Sequence, residues 1–432
     1  MQASHRYKAV YSLADGQYEN IKYRMLDWAK QFSILLFLDN NNYSSIYGKY
    51  ECLLAAGAVE IIADTSLSSL GQLHELRKDW LFGHIAYDYK NNLETGLTSR
   101  NVIQTAFPLL SFFCPQVVIH INPAKTELTI ESHYTNPREI FDAINSAKGE
   151  VIGKLPQLKF RHNISREQYL HTIAALQEHI VNGDCYEINF CSEGFADARH
   201  INPLHIFTAL NELSPAPFAA YYRLEDKYMA CSSPERYLQK NGNTILSQPI
   251  KGTARRVENS ALDDALRSDL QYDEKERAEN VMIVDLVRND LARSCETGSV
   301  NVDELFGIYS FPQVHQMIST VSAQLRKGLT FTDAIKYSFP MGSMTGAPKI
   351  KVMELIDYYE LSRRELFSGT VGYITPGGDF DFNVVIRSLF YNADSHYLSY
   401  QTGGAITYDS KPEKEWEEMR LKAWALESIF NA

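Results

Sequence analysis

The sequence predicts an α+β fold in which large antiparallel sheets pack as a sandwich core with flanking helices. Short runs of alternating apolar and polar residues recur along the chain, as at Tyr186, Ile188 and Phe190. Several such runs flank tight turn sequences, such as Asn241-Gly242-Asn243, which are typical of hairpins. Helical segments are interspersed among these hairpins, and this order favours an antiparallel α+β protein.

The composition is that of a globular protein with a sizeable core. Of the 432 residues, 45% are hydrophobic, and the net charge of −11 argues against nucleic acid or an anionic membrane as the main partner. The longest apolar run, residues 34–38, is too short to cross a bilayer, and the N-terminus lacks the apolar stretch of a signal peptide. The six cysteines include no C-x-x-C pair. We therefore expect a reduced, cytoplasmic protein that binds neither nucleic acid nor membrane.

Two regions are expected, 1–157 and 158–432. The first mixes short strand-like runs with polar turns and ends in a tract that carries Gly153 and Pro156. The second opens with a capping box, Ser165-Arg-Glu-Gln168, followed by apolar residues at the spacing of one helix face. Asn182-Gly183 predicts the end of that helix.

The remaining elements of the second region are two hairpins and two helices. The hairpins are predicted at 228–240 with 244–250 and at 370–374 with 380–390, and the helices at 268–295 and 412–430. The helix at 268–295 is expected to be continuous because that segment has no glycine or proline. In the strand at 380–390, alternation predicts Asp381 and Arg387 on the face opposite Phe380.

Pairs of glutamates suggest a cation site. Glu415 and Glu418 lie three residues apart on the last helix, and Glu276 and Glu279 have the same spacing on the long helix. Mg²⁺ takes oxygen ligands, often one or two carboxylates together with water and substrate oxygens. The alternative is a solvated helix face with ordinary ion pairs, as between Glu418 and Lys422.

A lysine and a glutamate are expected to approach each other across paired strands. Glu235 precedes the hairpin that leads to Lys251, which stands in the sequence Pro-Ile-Lys-Gly-Thr. If the two groups are enclosed, either can have a shifted pKa, and a carboxyl acid beside an amine is a catalytic arrangement. The alternative for Lys251 is a stem lying on apolar surface with its amine in water.

Arg387 and His315 each have two readings. A guanidinium binds a ligand carboxylate bidentately, but Arg387 could equally form an internal pair with Asp381. His315 could donate a hydrogen bond to a ligand or could be a satisfied core histidine.

Two glycine-containing segments could approach a ligand. The backbone amides of residues 342–349, ahead of a helix, could receive an anion, although the segment is not a Walker A loop. Gly403 and Gly404 allow a backbone to come close to a ligand, or they mark a bend in a strand.

Taken together, several segments resemble the chorismate-utilising enzymes and, within that family, the aminodeoxychorismate synthases (component I). They occur in family order between about residues 160 and 428. The matching segments are Gly183-Asp-Cys-Tyr-Glu-Ile-Asn189, Ser233-Pro-Glu-Arg236, Pro249-Ile-Lys-Gly-Thr253, Ala278-Glu-Asn280, Asp285-Leu-Val-Arg-Asn-Asp290, Gly342 to Lys349, and Ser410 through Glu418.

The resemblance implies a role for each candidate residue. Lys251 falls at the position of a nucleophile that marks the aminodeoxychorismate branch, and Glu235 at that of a general acid. Glu279 and Glu418, with Glu415 nearby, fall where the family binds Mg²⁺. The implied substrate contacts are Arg387, Tyr373, Gly403, Gly404, His315, Thr345 and Thr253.

The implied reaction is the Mg²⁺-dependent amination of chorismate by ammonia to 4-amino-4-deoxychorismate, in para-aminobenzoate and folate synthesis. Ammonia is expected from a separate glutamine amidotransferase subunit, because the sequence has no glutamine-hydrolysing motif. A nucleophilic amine must be unprotonated, so burial and the metal are expected to lower the pKa of Lys251. The alternatives are an anthranilate synthase component I, an isochorismate synthase, or a non-catalytic chorismate-binding subunit. The sequence departs from the family at Glu187, where glutamine is frequent, and at Ala405, where a third glycine is common.

Overall fold

Antiparallel strands and surrounding helices make up the computed structural model, which describes residues 6–14, 16–311 and 314–431. The strands of these residues are β1 Tyr7–Ser12, β2 Ile34–Asp39, β3 Cys52–Ala63, β4 Leu81–Ile85, β5 Leu110–Ile121, β6 Glu127–Ser132, β7 Arg161–His162, β8 Glu187–Asp197, β9 Phe218–Leu224, β10 Lys227–Ser233, β11 Arg236–Asn241, β12 Thr244–Gln248, β13 Ile250–Arg255, β14 Asn301–Ser310, β15 Val314–Gln324, β16 Gly346–Ala347, β17 Thr370–Ile374, β18 Phe380–Asn383, β19 Ser388–Asn392 and β20 Tyr397–Ile406. The α-helices are α1 Tyr18–Ala29, α2 Leu67–Arg77, α3 Lys90–Leu93, α4 Pro137–Ser146, α5 Arg166–Val181, α6 Pro203–Leu213, α7 Ser260–Tyr272, α8 Glu274–Ser294, α9 Phe331–Ser338, α10 Lys349–Tyr359 and α11 Pro412–Glu427.

The strands form two series that share the long strands β3 and β5. The first series runs β1-β6-β5-β3-β2-β9-β10-β19-β20-β8. The second runs from β5 through β4, β17, β18, β11 and β12 to β15, which also pairs with β13 and β14. All of these pairings are antiparallel, and a register shift between Ala58 and Glu60 in β3 lies where the two series diverge. The predicted α+β class is confirmed.

Both faces of the central strand β2 are covered, which explains why its residues are nearly all apolar and buried. In β2, Leu36 belongs to a large core that also contains Leu81, Phe112 and Phe382 from the second series. Its neighbour Phe37 faces the opposite way, into a second core formed with α1, α4, α6 and α11. A core made by two sheets, with helices on the outside, is the predicted sandwich.

Several predicted elements are confirmed at their boundaries. Both hydrogen bonds of the Ser165–Gln168 capping box are present at the start of α5. The hairpin at Gly242 joins β11 to β12, and the second hairpin joins β17 to β18. The last helix has Pro412 in its first turn and continues as a 3₁₀ turn through Phe430.

The predicted continuous helix at 268–295 is wrong, because the chain breaks at Asp273. Asp273 is the N-cap of α8, and its side chain accepts a hydrogen bond from the backbone amide of Glu276. A capping side chain therefore begins a new helix without glycine or proline. Glu276 and Glu279 still share α8.

Two predicted strands are also shorter than expected. The strand at 228–240 is interrupted at Pro234, which separates β10 from β11. The strand at 380–390 ends at Asn383, and Arg387 has a positive φ of 50° just before β19 begins. Arg387 therefore does not follow the alternation of β18, and its direction is set by this turn.

The first 157 residues join the same hydrogen-bonded network as the rest of the chain. Strand β2 pairs with β9, and β4 pairs with β17. The boundary at 157/158 stays a prediction. In the described part of the chain, no helix is long and apolar enough to cross a membrane.

Candidate active site

The charged residues singled out from the sequence converge from separate elements. Lys251 is on β13, Glu235 lies between β10 and β11, and Arg387 precedes β19. Helix α8 carries Glu276 and Glu279, and α11 carries Glu415 and Glu418. Their mutual electrostatic effects, described below, place them around one site.

Lys251 lies at an irregularity in β13. The register with β15 shifts between Ile250 and Thr253, and Gly252 has a φ of +90°. A bulge of this kind redirects a side chain out of the regular alternation of a strand. The Lys251 amine donates a hydrogen bond of 2.6 Å to Oε1 of Glu187, and its side chain is only 10% exposed. The surface alternative for Lys251 is therefore wrong.

Burial does not lower the pKa of Lys251 as expected, and the expected effect of the metal stays a prediction. Burial by itself disfavours the ammonium form and would lower the pKa of this amine. The negative charges of Glu187, Glu279 and Glu235, together with the hydrogen bond that the amine donates to Glu187, outweigh that effect and raise the pKa of Lys251. In the structure the resting lysine is an ammonium held by Glu187.

Glu235 is enclosed and has the properties of an acid. Burial raises its pKa to about 7, against the opposing effects of a hydrogen bond from Ser343 and the positive charges of Lys251 and Arg387. Its side chain therefore lies close to Lys251, as the hairpin predicted. At neutral pH a substantial fraction of Glu235 is protonated and can donate a proton.

Arg387 is available to a ligand. Asp381, its alternative partner, is bound instead by Arg236, so the predicted possibility of an Arg387–Asp381 pair is wrong. The Arg387 guanidinium forms no ion pair or hydrogen bond with the side chains of the described residues. Burial lowers the pKa of Arg387, whereas the nearby Glu235 opposes that shift. A partly enclosed, unpaired guanidinium is well suited to a carboxylate ligand.

Four glutamates from α8 and α11 form the second part of the site. Burial and the charge of Glu279 raise the pKa of Glu276 to about 7. Burial and the charge of Glu418 also raise the pKa of Glu415. The solvated-face alternative applies only to Glu418, whose side chain is 55% exposed and pairs with Lys422 at 2.8 Å.

These residues offer the ligand type of a hard divalent cation, but no three of their carboxylate oxygens lie within 4.8 Å of one another in the described part of the chain. The donors are carboxylate oxygens from two helices, the ligand type that Mg²⁺ prefers. Oε1 of Glu279 is buried and accepts no hydrogen bond among the described residues, although it forms an ion pair with Nζ of Lys275 at 3.5 Å. A cation would stabilise the ionised forms of Glu276 and Glu415, whose pKa values are raised by burial and, to a smaller extent, by the neighbouring carboxylates. The residues that would hold it are Glu279, Glu415 and Glu418, with Glu276 beside them.

Gly403 and Gly404 bring the backbone of β20 close to this cluster. A Cβ at Gly404 would lie 3.5 Å from Oε2 of Glu415 and 3.9 Å from Oε1 of Glu418. The carbonyl of Gly403 accepts a hydrogen bond from Lys422 at 2.8 Å. Both glycines lie in a regular pairing with β8, so close approach, rather than a bend, explains them.

The segment 342–349 supports the site through its backbone. Ser343 hydrogen-bonds Glu235, and the Thr345 hydroxyl is used inside the turn, at 3.1 Å from the carbonyl of Met341. Gly346 has a φ of +142°, and a Cβ there would lie 2.1 Å from the carbonyl of Glu187. Glycine is therefore required where this segment packs against Glu187. The substrate role of Thr345 stays a prediction.

His315 and Thr253 lie beside the bulge. His315 is buried, its Nδ1 is 2.8 Å from the Ser310 hydroxyl, and its Nε2 is 3.2 Å from Oδ1 of Asp263. Its Nε2 forms no hydrogen bond among the described residues, so both alternatives for His315 stay open. Thr253 is exposed on β13 opposite Gln316. Their contacts with substrate stay predictions.

Tyr373 lies apart from these charged groups. Its ring contacts are with Tyr50, Trp80 and Phe82, at centroid distances of 5.8–6.0 Å. It is paired with Asp381 across β17 and β18, so it shares the face that lines a small cavity beside Arg236. Tyr373 is buried in this aromatic part of the core, and its contact with substrate stays a prediction.

Sequence reasoning missed the function of two residues. Glu187 was noted only as a departure from the family pattern, and the structure shows it as the partner of Lys251. Ser343 was part of a glycine-containing segment, with no signal that it would contact Glu235. Both contacts join segments distant in the chain, and short-range patterns do not report such contacts.

Comparisons with known proteins identify the family of the chain. The family of chorismate binding enzymes matches residues 38–428 of the chain. An aminodeoxychorismate synthase component 1 from Klebsiella aerogenes is 40% identical over 259 residues, covering 60% of this chain and 57% of the relative. An anthranilate synthase component 1 from Aquifex aeolicus is 33% identical over 363 residues, covering 80% of this chain and 73% of the relative.

A solved structure has the same fold. The anthranilate synthase component I from Streptococcus pneumoniae aligns with a TM-score of 0.77 at 25% identity, covering 89% of this chain and 93% of that one. The chain spans between about a third and somewhat over half of the length of the curated aminodeoxychorismate synthases that it matches.

Proposed function

Because the chain belongs to the family of chorismate binding enzymes, we propose that it catalyses the addition of ammonia to chorismate to give 4-amino-4-deoxychorismate. The observation that carries this proposal is the enclosed pair of Lys251 and Glu235. A buried amine beside a carboxyl group with a pKa of about 7 is a nucleophile next to a proton donor. Simple binding of chorismate does not need such a pair.

Each residue of the site has its own role in the proposed reaction. Arg387 binds a carboxylate of chorismate and fixes its orientation. The Lys251 amine attacks C2, and Glu235 donates a proton to the C4 hydroxyl as that group leaves as water. Ammonia then adds at C4 and the lysine is expelled from C2. The proton lost from the new amino group returns to Glu235.

Mg²⁺, held by Glu279, Glu415 and Glu418, would supply charge stabilisation at the ring carboxylate of the substrate. The donor set supports this assignment, because carboxylate oxygens from α8 and α11 are the ligand type that Mg²⁺ prefers. We further propose that the ammonia comes from a separate glutamine amidotransferase subunit, in keeping with the "component 1" name of the relatives. A role in para-aminobenzoate and folate synthesis and a cytoplasmic location remain part of the proposal.

The second candidate is an anthranilate synthase component I. The match to the Aquifex relative favours it, because that alignment covers more of both chains than the one with the Klebsiella relative. Lys251 argues against it, since the anthranilate branch of the family usually carries alanine at this position.

Product analysis tests the two candidates directly. The purified chain is incubated with chorismate, ammonium and Mg²⁺. The products are then separated by chromatography and identified by mass spectrometry. We expect 4-amino-4-deoxychorismate, which an added lyase converts to para-aminobenzoate. Formation of anthranilate would support the second candidate, and isochorismate would indicate a sister reaction. Binding of chorismate without turnover would contradict all three enzymatic readings.

A further inference from the structure

Lys251 is held by one carboxylate in particular. Its amine is 2.6 Å from Oε1 of Glu187, and among the described residues no other carboxylate lies within the 4.0 Å of an ion pair. The two side chains are 10% and 2% exposed, so water has little access to either. A charge-assisted hydrogen bond of this length is strong and fixes the direction of the amine.

The second carboxylate oxygen of Glu187 accepts no hydrogen bond. Oε2 is buried and has no hydrogen-bond partner among the described residues. Glu187 itself is fixed at the start of β8, where the backbone of Gly346 packs against its carbonyl. The carboxylate therefore has the capacity to accept a proton while the side chain stays in place.

The other charges around Lys251 act at longer range. Glu235 approaches it from the connection between β10 and β11, Glu279 from α8 and Glu418 from α11. Glu235 already serves as the proton donor to the substrate, and Glu279 and Glu418 belong to the cation site. Glu187 is the remaining group placed to take a proton directly from the amine.

We propose that Glu187 is a positioning residue that holds the proton of Lys251 during the reaction. This inference rests on the proposed function. One N–H bond of the ammonium breaks and an O–H bond forms on Glu187, which leaves a neutral amine whose lone pair attacks C2 of chorismate. When ammonia adds at C4, the C2–N bond breaks and its electron pair returns to the amine. The amine then takes its proton back from Glu187.

This arrangement explains how a lysine that rests as an ammonium can act as a nucleophile. Moving the proton within the pair changes neither the number of bound protons nor the net charge. The attack therefore does not depend on pH in the range where the pair holds one proton. If the proton instead left to water, the rate would rise about tenfold for each pH unit below the pKa of Lys251.

The test follows the first half of the reaction, with chorismate and Mg²⁺ but without ammonia. The rate at which Lys251 gains the mass of a substrate adduct is measured by peptide mass spectrometry from pH 5.5 to 7. In parallel, acylation of Lys251 by acetic anhydride reports the fraction of free amine. We expect an adduct rate that changes less than twofold across this range while Lys251 stays protected from acylation.

The variant Glu187→Gln provides the second measurement. Loss of the carboxylate removes the main attraction on the ammonium, so acylation of Lys251 at pH 7 should be at least tenfold faster than in the natural protein. Glu193→Gln is the matched control, because Glu193 is another buried glutamate on β8, and its Oε1 accepts a hydrogen bond from Tyr397. It should leave both measurements unchanged.

Two results would overturn the inference. One is an adduct rate in the natural protein that rises tenfold per pH unit in step with acylation. The other is an unchanged acylation rate in Glu187→Gln. If the variant Glu187→Gln does not fold, the pH dependence of the adduct rate in the natural protein still tests the inference. Absence of any substrate adduct on Lys251 would contradict the proposed function itself. This outcome differs from the two results that would overturn the inference about Glu187, because in both of those the adduct forms or acylation is measured directly.

Discussion

The guanidinium of Arg236 forms a bidentate ion pair with Asp381, with Nε–Oδ1 and Nη2–Oδ2 distances of 2.9 and 3.1 Å. The pair joins β11 to β18. It also determines which arginine can bind a ligand, because Asp381 is no longer free to neutralise Arg387. The two arginines therefore have separate tasks, one in the fold and one in the site.

Replacing Arg236 is expected to destabilise the protein. Arg236→Ala leaves Asp381 without its bidentate partner, and breaking a buried pair costs about 3–5 kcal/mol. The free energy of unfolding, measured in urea, checks this. Arg138→Ala is the control, because its pair with Asp142 is 67% and 56% exposed and should contribute less than about 1 kcal/mol. Equal effects of the two variants would contradict the structural role of Arg236.

Replacing Arg387 is expected to impair substrate binding and to leave the fold intact. Arg387→Ala removes a guanidinium that has no internal partner, so the melting temperature should not fall. Loss of charged hydrogen bonds to a carboxylate, about 1.5–3 kcal/mol, should raise KM for chorismate by roughly 10- to 100-fold. Steady-state kinetics provides the measurement. A KM within twofold of the natural value would remove Arg387 from the substrate site.

Replacing Lys251 should abolish the proposed reaction. Lys251→Ala removes the nucleophile, and loss of such a group typically costs on the order of 10³-fold or more in rate. The initial rate of aminodeoxychorismate formation, at saturating ammonia, is the measurement. Lys8→Ala, which removes an exposed lysine on β1, serves as the control. Near-normal turnover in Lys251→Ala would eliminate lysine nucleophilicity from the mechanism.

The rate is expected to fall as the pH rises above about 7 because of Glu235. Its pKa, raised to about 7 by burial, keeps the carboxyl group protonated below that pH and leaves it ionised above. Only the protonated form can donate to the leaving hydroxyl, so kcat/KM for chorismate should decrease tenfold per unit well above pH 7. The profile is measured at a fixed concentration of free ammonia. In the variant Glu235→Gln, kcat/KM should be low at every pH and should no longer decrease above pH 7. If kcat/KM of the natural protein stays constant up to pH 9, Glu235 is excluded as the acid.

Removing one carboxylate from the cation site should weaken Mg²⁺ binding. Glu279→Gln is expected to raise the Mg²⁺ concentration for half-maximal activity by about 10- to 100-fold, the range seen when metal-site groups are lost. Calorimetric titration with Mg²⁺ gives an independent measurement. Glu417→Gln is the control, because Glu417 is exposed on the same helix as Glu418. Equal Mg²⁺ requirements for both variants and the natural protein would place the cation elsewhere.

Local patterns predicted those features that depend on neighbours in the chain. The capping box of α5, the hairpin before Lys251 and the approach of Glu235 to Lys251 all follow from short segments and direct strand pairing. The long helix at 268–295 was mispredicted because the side chain of Asp273 competes for backbone amides, and propensity alone does not weigh that competition. For Tyr373 the motif gave the position in the chain but not its aromatic neighbours Tyr50, Trp80 and Phe82, and its contact with substrate stays a prediction.

The sequence by itself determined the α+β class, the family and most of the charged residues of the site. These properties reside in residue order, spacing and periodicity, which a linear chain displays directly. Only the tertiary structure decided that Glu187 holds Lys251, that Arg236 takes Asp381 away from Arg387, and that the pKa of Lys251 is raised and not lowered. The physical reason is that these outcomes depend on distance and burial between residues 64 to 145 positions apart, where charges are strengthened by the loss of water.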